Sequence, residues 1–246
     1  MCTIVVKKLE SGWVLGKTRD PVPWMRWDDE IKLFDTPADG VRKWIVQNPN
    51  PNEDGYYGGM NDLGVAFIAT FVPVTENQIS YIRRPYVRLI LEAVTANEGI
   101  EIIKAFNPRI GGNMFIADEN ECFGIEGVPQ GYYVESVKKQ AVKTNHFLHL
   151  PYKNLQIKDP WYQAWTTKRY ERASELIETV SKVEDIKTLL KDRKGAEEKA
   201  AICNMKTEVE CFTHSAFVFD TKNRVVHYAQ GNPTEVPFKE YRFNKV

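Results

Sequence analysis

Cysteine is scarce in this chain: Cys2, Cys122, Cys203 and Cys211 are the only four in 246 residues, and no two form a Cys-x-x-Cys pair. That is too few for a disulfide scaffold, and the spacing offers no zinc site. Net charge is absent as well, with 33 Lys and Arg against 33 Asp and Glu. No global field draws a polyanion or an anionic surface, so neither nucleic acid nor a membrane is expected as partner. No apolar run approaches the ~20 residues that span a bilayer. The opening stretch from Met1 to Lys8 lacks a charged segment followed by a long apolar one. These absences lead to the expectation of a soluble, cytoplasmic protein.

What is present is core-forming material. At 43% hydrophobic and 12% aromatic residues the chain is too apolar for disorder. Its length fits one large domain or two small ones, and folding buries about 70–75% of the extended surface. Strand-like runs open it: Cys2 to Lys7, Gly12 to Gly16, Val41 to Gln47, and the continuous apolar run Gly64 to Val72, which reads as a central buried strand. The cluster from Asn48 to Gly55 is a turn between strands. A helix opens near Pro85, with Val87, Ile90, Leu91 and Val94 on one face, and a second follows with Asn97 as cap and Ile100, Ile103 and Phe106 inward.

Strands return at Asn113 to Ala117, Cys122 to Ile125, Gly131 to Val137 and Ala141 to Thr144, in the pattern of an antiparallel meander. Residues 160–192 are helical, with Ala173, Leu176, Ile177 and Val180 on one face, then Ser181-x-x-Glu184 as a capping box. The charged stretch Lys191 to Lys199 reads as a solvated loop, and Cys211 to Asp220 and Arg224 to Ala229 as closing strands. There is no regular βαβ alternation and no internal repeat. The order predicts an α+β fold in which two antiparallel sheets pack face to face with helices outside, as one domain over 1–246.

Cys2 stands out chemically. Removal of Met1 leaves a free α-amine and a thiol on adjacent carbon atoms of one residue. The amine titrates near 7.7–8.0 and the thiol at about 8.5, so one residue supplies both base and nucleophile. Many chains open Met-Cys with nothing implied, so the surroundings must decide. Arg169 falls in line with Ala173, Leu176 and Val180, which turns its guanidinium inward, where it needs a partner or must bend to the surface. Arg172, three residues before Glu175, fits an exposed ion pair.

The opening Met1-Cys2-Thr3-Ile4-Val5-Val6, then Gly16-Lys17-Thr18-Arg19-Asp20, Gly59 to Ala66, Thr144-Asn145-His146-Phe147, and Thr213 to Asp220 with Gly231-Asn232-Pro233, resemble the N-terminal-nucleophile (Ntn) hydrolases in order. The resemblance is to the group of choloylglycine hydrolase, penicillin V acylase and the acyl-coenzyme A:6-aminopenicillanic acid acyltransferases. It implies a four-layer αββα sandwich and an amidohydrolase that cleaves a linear, non-peptide amide by acyl transfer to an N-terminal cysteine. Its partner is a small-molecule acyl amide, with no metal or organic cofactor, and a homo-oligomer is left open. By that resemblance Cys2 is the nucleophile, Asp20 orients the terminal amine, Asn145 helps hold the oxyanion, and Arg169, before an aromatic residue, supports the centre.

The sequence departs from the group at two places. Lys17 stands where many members carry arginine, with Arg19 shifted by two. Thr70-Phe71 stands where the bile-salt hydrolases bring an oxyanion asparagine, a role a backbone N–H can fill, so bile-salt specificity does not carry over. Asn61 reads as a turn former ahead of its strand. Two alternatives follow from the same resemblance: an acyltransferase to an amine acceptor, and a noncatalytic metabolite-binding relative. Trp24, Trp27 and Trp44 with Tyr56 and Tyr57 can line an acyl pocket or simply fill the core. His146-x-x-His149 lacks further metal ligands at fitting spacing, and Cys122, Cys203 and Cys211 read as buried, inert thiols.

Overall fold

The computed structural model describes residues 2–21, 29–35, 40–47, 56–75, 83–106, 111–151, 156–207 and 210–243. Thirteen strands among them form two antiparallel sheets. The first sheet has the order β10-β1-β2-β11-β12-β13, from β1 (Ile4–Leu9), β2 (Gly12–Arg19), β10 (Gln140–Lys143), β11 (Ser215–Asp220), β12 (Val225–Ala229) and β13 (Lys239–Arg242). The second runs in chain order through β3 (Glu30–Asp35), β4 (Arg42–Gln47), β5 (Tyr56–Asn61), β6 (Ala66–Phe71), β7 (Gly112–Ala117), β8 (Cys122–Val128) and β9 (Gly131–Ser136). The expected central strand is β6, fourth of the seven.

The expected meander is corrected at its last member. The first three strands stay in the second sheet, whereas β10 crosses over and pairs with β1, Ile4 opposite Lys143. Two strands had no sequence signal. Both β3 and β13 are edge strands with charged, half-exposed faces, the composition that guards a sheet edge and hides its alternation.

Four α-helices among the described residues cover the outer faces: α1 (Arg83–Ile90), α2 (Ala96–Phe106), α3 (Pro160–Glu178) and α4 (Val183–Leu189). The first stops sooner than its apolar spacing suggests, leaving Val94 60% exposed. The second is capped by Thr95, whose Oγ1 accepts the Glu98 N–H at 3.2 Å, and not by Asn97. Asp159 caps α3 by accepting the Tyr162 N–H at 2.7 Å, with Pro160 at the first helical position. At α4 the cap is Asp185, not Glu184: its carboxylate accepts from the N–H groups of Ser181 and Lys182. Within Lys191 to Lys199 a 3-10 turn forms at Ala196–Glu198, and Asp192 binds Arg172.

Three apolar clusters fill the three interfaces of an α-β-β-α stack. Alternate residues Ile4, Val6, Trp13 and Leu15 meet Met60, Ala66, Ile68 and Phe115 between the sheets. Val5, Val14, Val142 and Val218 face Ala173, Ile177 and Ile186 of α3 and α4. Ile45, Phe67 and Ile116 face Val87, Ile90 and Ile100 of α1 and α2. The period-2 alternation of each strand therefore sorts its residues between an inter-sheet face and a helix face. No helix among the described residues is long and apolar enough to cross a membrane.

Candidate active site

The pairing registers gather four strand ends of the first sheet at one edge: the start of β1, the end of β2, the end of β10 and the start of β11. Alternation then fixes where each side chain points. Cys2, Lys17 and Arg19 share the face of Ile4 and Leu15 and lie between the sheets; Thr3, Thr18 and Asp20 share the face of Val5 and Val14 and lie toward α3.

Asn145, two residues beyond β10, joins these parts. Its Oδ1 accepts the Cys2 backbone N–H at 3.0 Å and Arg169 Nη2 at 2.7 Å. Its Nδ2 donates to Thr70 Oγ1 at 2.7 Å and to the Phe71 carbonyl at 2.6 Å. A guanidinium only donates and a backbone carbonyl only accepts, so the two partners fix which way the amide faces. The Asn145 backbone is held as firmly: its N–H donates to Thr166 Oγ1 at 2.8 Å, and Tyr162 Oη donates to its carbonyl at 3.0 Å.

Arg169 enters from α3 fully buried, with Trp165 against its guanidinium at 3.7 Å. It reaches Thr3 Oγ1 at 3.3 Å and Asp20 Oδ2 at 3.6 Å. The other carboxylate oxygen, Asp20 Oδ1, accepts the Thr213 hydroxyl at 2.8 Å. Asp20 Oδ2 has no hydrogen-bond partner among the described residues. Burial raises the Asp20 pKa, against the pull of the chain's amino terminus and Arg169. Burial also pushes the Cys2 thiol up, but the Lys17 ammonium, the amino terminus and a hydrogen bond from the Asp20 backbone N–H outweigh it and leave the thiol below its ordinary value.

Lys17 donates from Nζ to the carbonyls of Tyr57 at 3.0 Å and Ala69 at 2.6 Å, which fixes its charge between the sheets. Arg19 donates to Tyr57 Oη at 2.7 Å and pairs with Asp29 at 3.1 Å. Burial pushes the Tyr57 hydroxyl up to about 12, so it remains protonated near neutrality.

Residues 10–235 match the profile of the acyl-coenzyme A:6-aminopenicillanic acid acyl-transferase family. The chain belongs to that family. Solved structures with the same fold include penicillin V acylase from Agrobacterium tumefaciens, 13% identical, TM-score 0.55, covering 92% of this chain and 82% of that one. A variant of conjugated bile acid hydrolase from Clostridium perfringens is 10% identical, TM-score 0.58, covering 99% and 98%. The Caenorhabditis elegans ortholog of N-acylethanolamine-hydrolyzing acid amidase is 12% identical, TM-score 0.57, covering 99% and 100%. No curated protein matches. This acyl-transferase family member thus has the αββα sandwich of the Ntn hydrolases.

Not every candidate residue lies at this edge. Asn61 accepts the N–H groups of Leu63 and Val65 and donates to the carbonyls of Leu91 and Ala93, so it ends β5 and forms the turn that leads into β6. Thr70 lies near the other end of β6, four residues beyond Ala66 and so roughly 13 Å along the strand at ~3.3 Å per residue. Trp44 packs on Tyr241 and Phe243 against the inter-sheet core, and Tyr56 on Phe34. Trp24 and Trp27 lie outside the described residues. Cys122 and Cys203 are buried, but Cys211 is half-buried, near enough to act on the charges of Arg169 and Tyr162. His146 Nδ1 meets the hydroxyls of Thr144 and Thr166, while His149 stands at the surface beside Glu135. Among the described residues no three His, Cys, Asp or Glu side chains gather as for a metal ion.

Sequence reasoning passed over Glu126 and Asn113, which hold the segment carrying Asn145 from the opposite sheet. Glu126 is fully buried on β8 and paired with Lys143 at 2.9 Å. The available signal was one carboxylate in the otherwise apolar, glycine-rich strand Cys122–Val128, since a charge is seldom buried without a partner.

Proposed function

We propose that the protein is an amidohydrolase that cleaves a linear, non-peptide amide by acyl transfer to Cys2 once Met1 has been removed. The observation that carries this reading is the position of the Cys2 nitrogen: it donates to Asn145 Oδ1, inside a buried frame that also holds Arg169 and Asp20. A peptide nitrogen has one hydrogen to give, and Asn145 takes it. A freed α-amine has more, and Asp20 Oδ2, ion-paired with Arg169 but holding no hydrogen bond among the described residues, is a ready acceptor on the same edge.

In the proposed reaction the amine takes the thiol proton and the thiolate attacks the amide carbonyl. The C–N bond breaks as the leaving nitrogen takes that proton back, and water then attacks the thioester, releasing a carboxylic acid and restoring the thiol. Lys17 favours the thiolate, and Asp20 with Arg169 holds the amine. At rest both Asn145 Nδ2 hydrogens are committed to Thr70 and Phe71. A developing oxyanion is a stronger acceptor than the neutral Phe71 carbonyl, so exchange of that bond is favoured only as charge develops. Thr70, whose oxygen accepts from Asn145, keeps its own O–H as a second donor. Loss of one oxyanion donor costs about 2.7–4 kcal/mol of transition-state stabilisation. The alternative of acyl transfer to an amine acceptor is favoured by the activity in the family's name.

Intact mass and a panel of acyl amides test the reading together. Protein made in cells is expected to have lost Met1, to hydrolyse at least one amide, and to form a covalent acyl adduct on Cys2; Cys2→Ala abolishes both turnover and adduct. Active protein that retains Met1 overturns the terminal-amine mechanism. A product formed only when an amine acceptor is added assigns acyl transfer in place of hydrolysis.

A further inference from the structure

Across the second sheet Thr70 lies opposite Asn113, Asn113 opposite Glu126, and Glu126 opposite Tyr133. These four residues form a row over β6, β7, β8 and β9. Thr70 and Asn113 share the inter-sheet face of Ile68 and Phe115, and each member of the row touches the segment that follows β10 in the other sheet. Thr70 accepts from Asn145 Nδ2 at 2.7 Å. Asn113 Nδ2 donates to the carbonyls of Thr144 at 2.9 Å and His146 at 2.8 Å, one residue on either side of Asn145. Glu126 Oε2 accepts three successive backbone N–H groups, from Leu148 at 3.0 Å and from His149 and Leu150 at 2.9 Å. The ring of Tyr133 lies 5.3 Å from that of His149.

We infer that this row is a template for the Asn145 segment, and that Asn113 and Glu126 are positioning residues that act on Cys2 through Asn145. A segment without helix or strand partners must satisfy its backbone elsewhere. Here five of its backbone groups are met by two side chains of the opposite sheet. The Asn145 amide is thereby referenced to both sheets at once, to Cys2 in one and Thr70 in the other. The Lys143 ammonium, through its pairing with Glu126, keeps that carboxylate ionised and able to take all three N–H groups.

The inference rests on the proposed role of Cys2 for one readout only. In uniformly isotope-labelled protein lacking Met1, hydrogen exchange of the Asn145 backbone N–H, compared with that of residues 148–150, reports the segment's position without any chemistry. The second readout is alkylation of Cys2 by iodoacetamide, located by peptide mass. Glu126→Gln keeps the side-chain volume and leaves Lys143 paired with Glu135 at 2.9 Å. It is expected to speed Asn145 exchange and to slow Cys2 alkylation, each about tenfold, the size set by one or two lost hydrogen bonds. In an Asn145→Ala background the same substitution is expected to leave alkylation unchanged, which a general loss of stability does not reproduce. Faster exchange confined to residues 148–150, or an equal slowing in both backgrounds, overturns the inference. Should Glu126→Gln not fold, Asn113→Asp, which removes both donations to the segment, carries the same measurements, and the same results support or overturn the template. A wild-type Cys2 inert to iodoacetamide overturns the nucleophile assignment, while Asn145 exchange still decides the template.

Discussion

Among the influences that favour the Cys2 thiolate, the Lys17 charge weighs most. Two carbonyls hold its Nζ between the sheets, where its positive field lowers the pKa of the thiol. Lys17→Met keeps the length and removes the charge; the pH midpoint of Cys2 alkylation is expected to move up and the rate at neutral pH to fall. An unmoved midpoint refutes the role. Arg169 carries a different load, because its fork reaches Asp20, Asn145 and Thr3 from within the core. Arg169→Ala strands a buried carboxylate and is expected to cost about 3–5 kcal/mol. At about 2–4 °C per kcal/mol for a chain of this size, calorimetry should show Tm lower by roughly 6–20 °C. Arg169 was legible in the sequence because it continues the apolar stripe of its own helix. Asn113 and Glu126 were not, because their partners are backbone atoms of a segment 22 to 33 residues away, and no local pattern marks such a contact.

Elements were legible where their signal was internal and obscure where a neighbour supplied it. The strands of the inter-sheet layer announce themselves by apolar alternation. The pairing of β10 with β1 depends on a crossover that short-range spacing does not record, and it is this crossover that brings Asn145 opposite Cys2. The cap of α4 shows the same limit on a smaller scale, since Glu184 fits the capping pattern while Asp185 makes the bonds to Ser181 and Lys182. Asp185→Ala should therefore cost about 0.5–2 kcal/mol, and Glu184→Ala well under that, by denaturant unfolding. On β8, Lys143 and the three N–H groups outweigh burial and hold the Glu126 pKa below its ordinary value. A depressed folded pKa gives stability that is complete above the unfolded value, about 4.3, and is lost as pH falls through the folded one. Glu126→Gln should thus be less stable than wild type at neutral pH, with the gap closing on acidification. A gap constant with pH shows that the charge contributes nothing.

The stack as a whole depends on close approach at each of its interfaces, and a glycine marks all three. A Cβ on Gly16 would meet Ile186 of α4 at 2.6 Å, one on Gly99 would meet Ile116 of the second sheet at 2.1 Å, and one on Gly58 would meet Phe217 across the sheets at 2.8 Å. The first two face ends of aliphatic side chains, and on α2 an alanine also gains about 0.8–1 kcal/mol of helix propensity over glycine. Gly58 has no such relief. Its other neighbour is the Phe67 carbonyl oxygen at 2.9 Å, a backbone atom of the paired strand, so relaxation must shift β6 or spread the sheets. Gly58→Ala is therefore expected to cost about 1–3 kcal/mol, more than Gly99→Ala. The same displacement reaches the chemistry, because the adjacent Tyr57 carbonyl and the Ala69 carbonyl of β6 hold Lys17. Gly58→Ala should accordingly slow Cys2 alkylation at temperatures where the protein is still fully folded, and Gly99→Ala should not. If both variants lose stability equally and leave Cys2 reactivity alone, the spacing between the sheets is not what sets the position of the Lys17 charge.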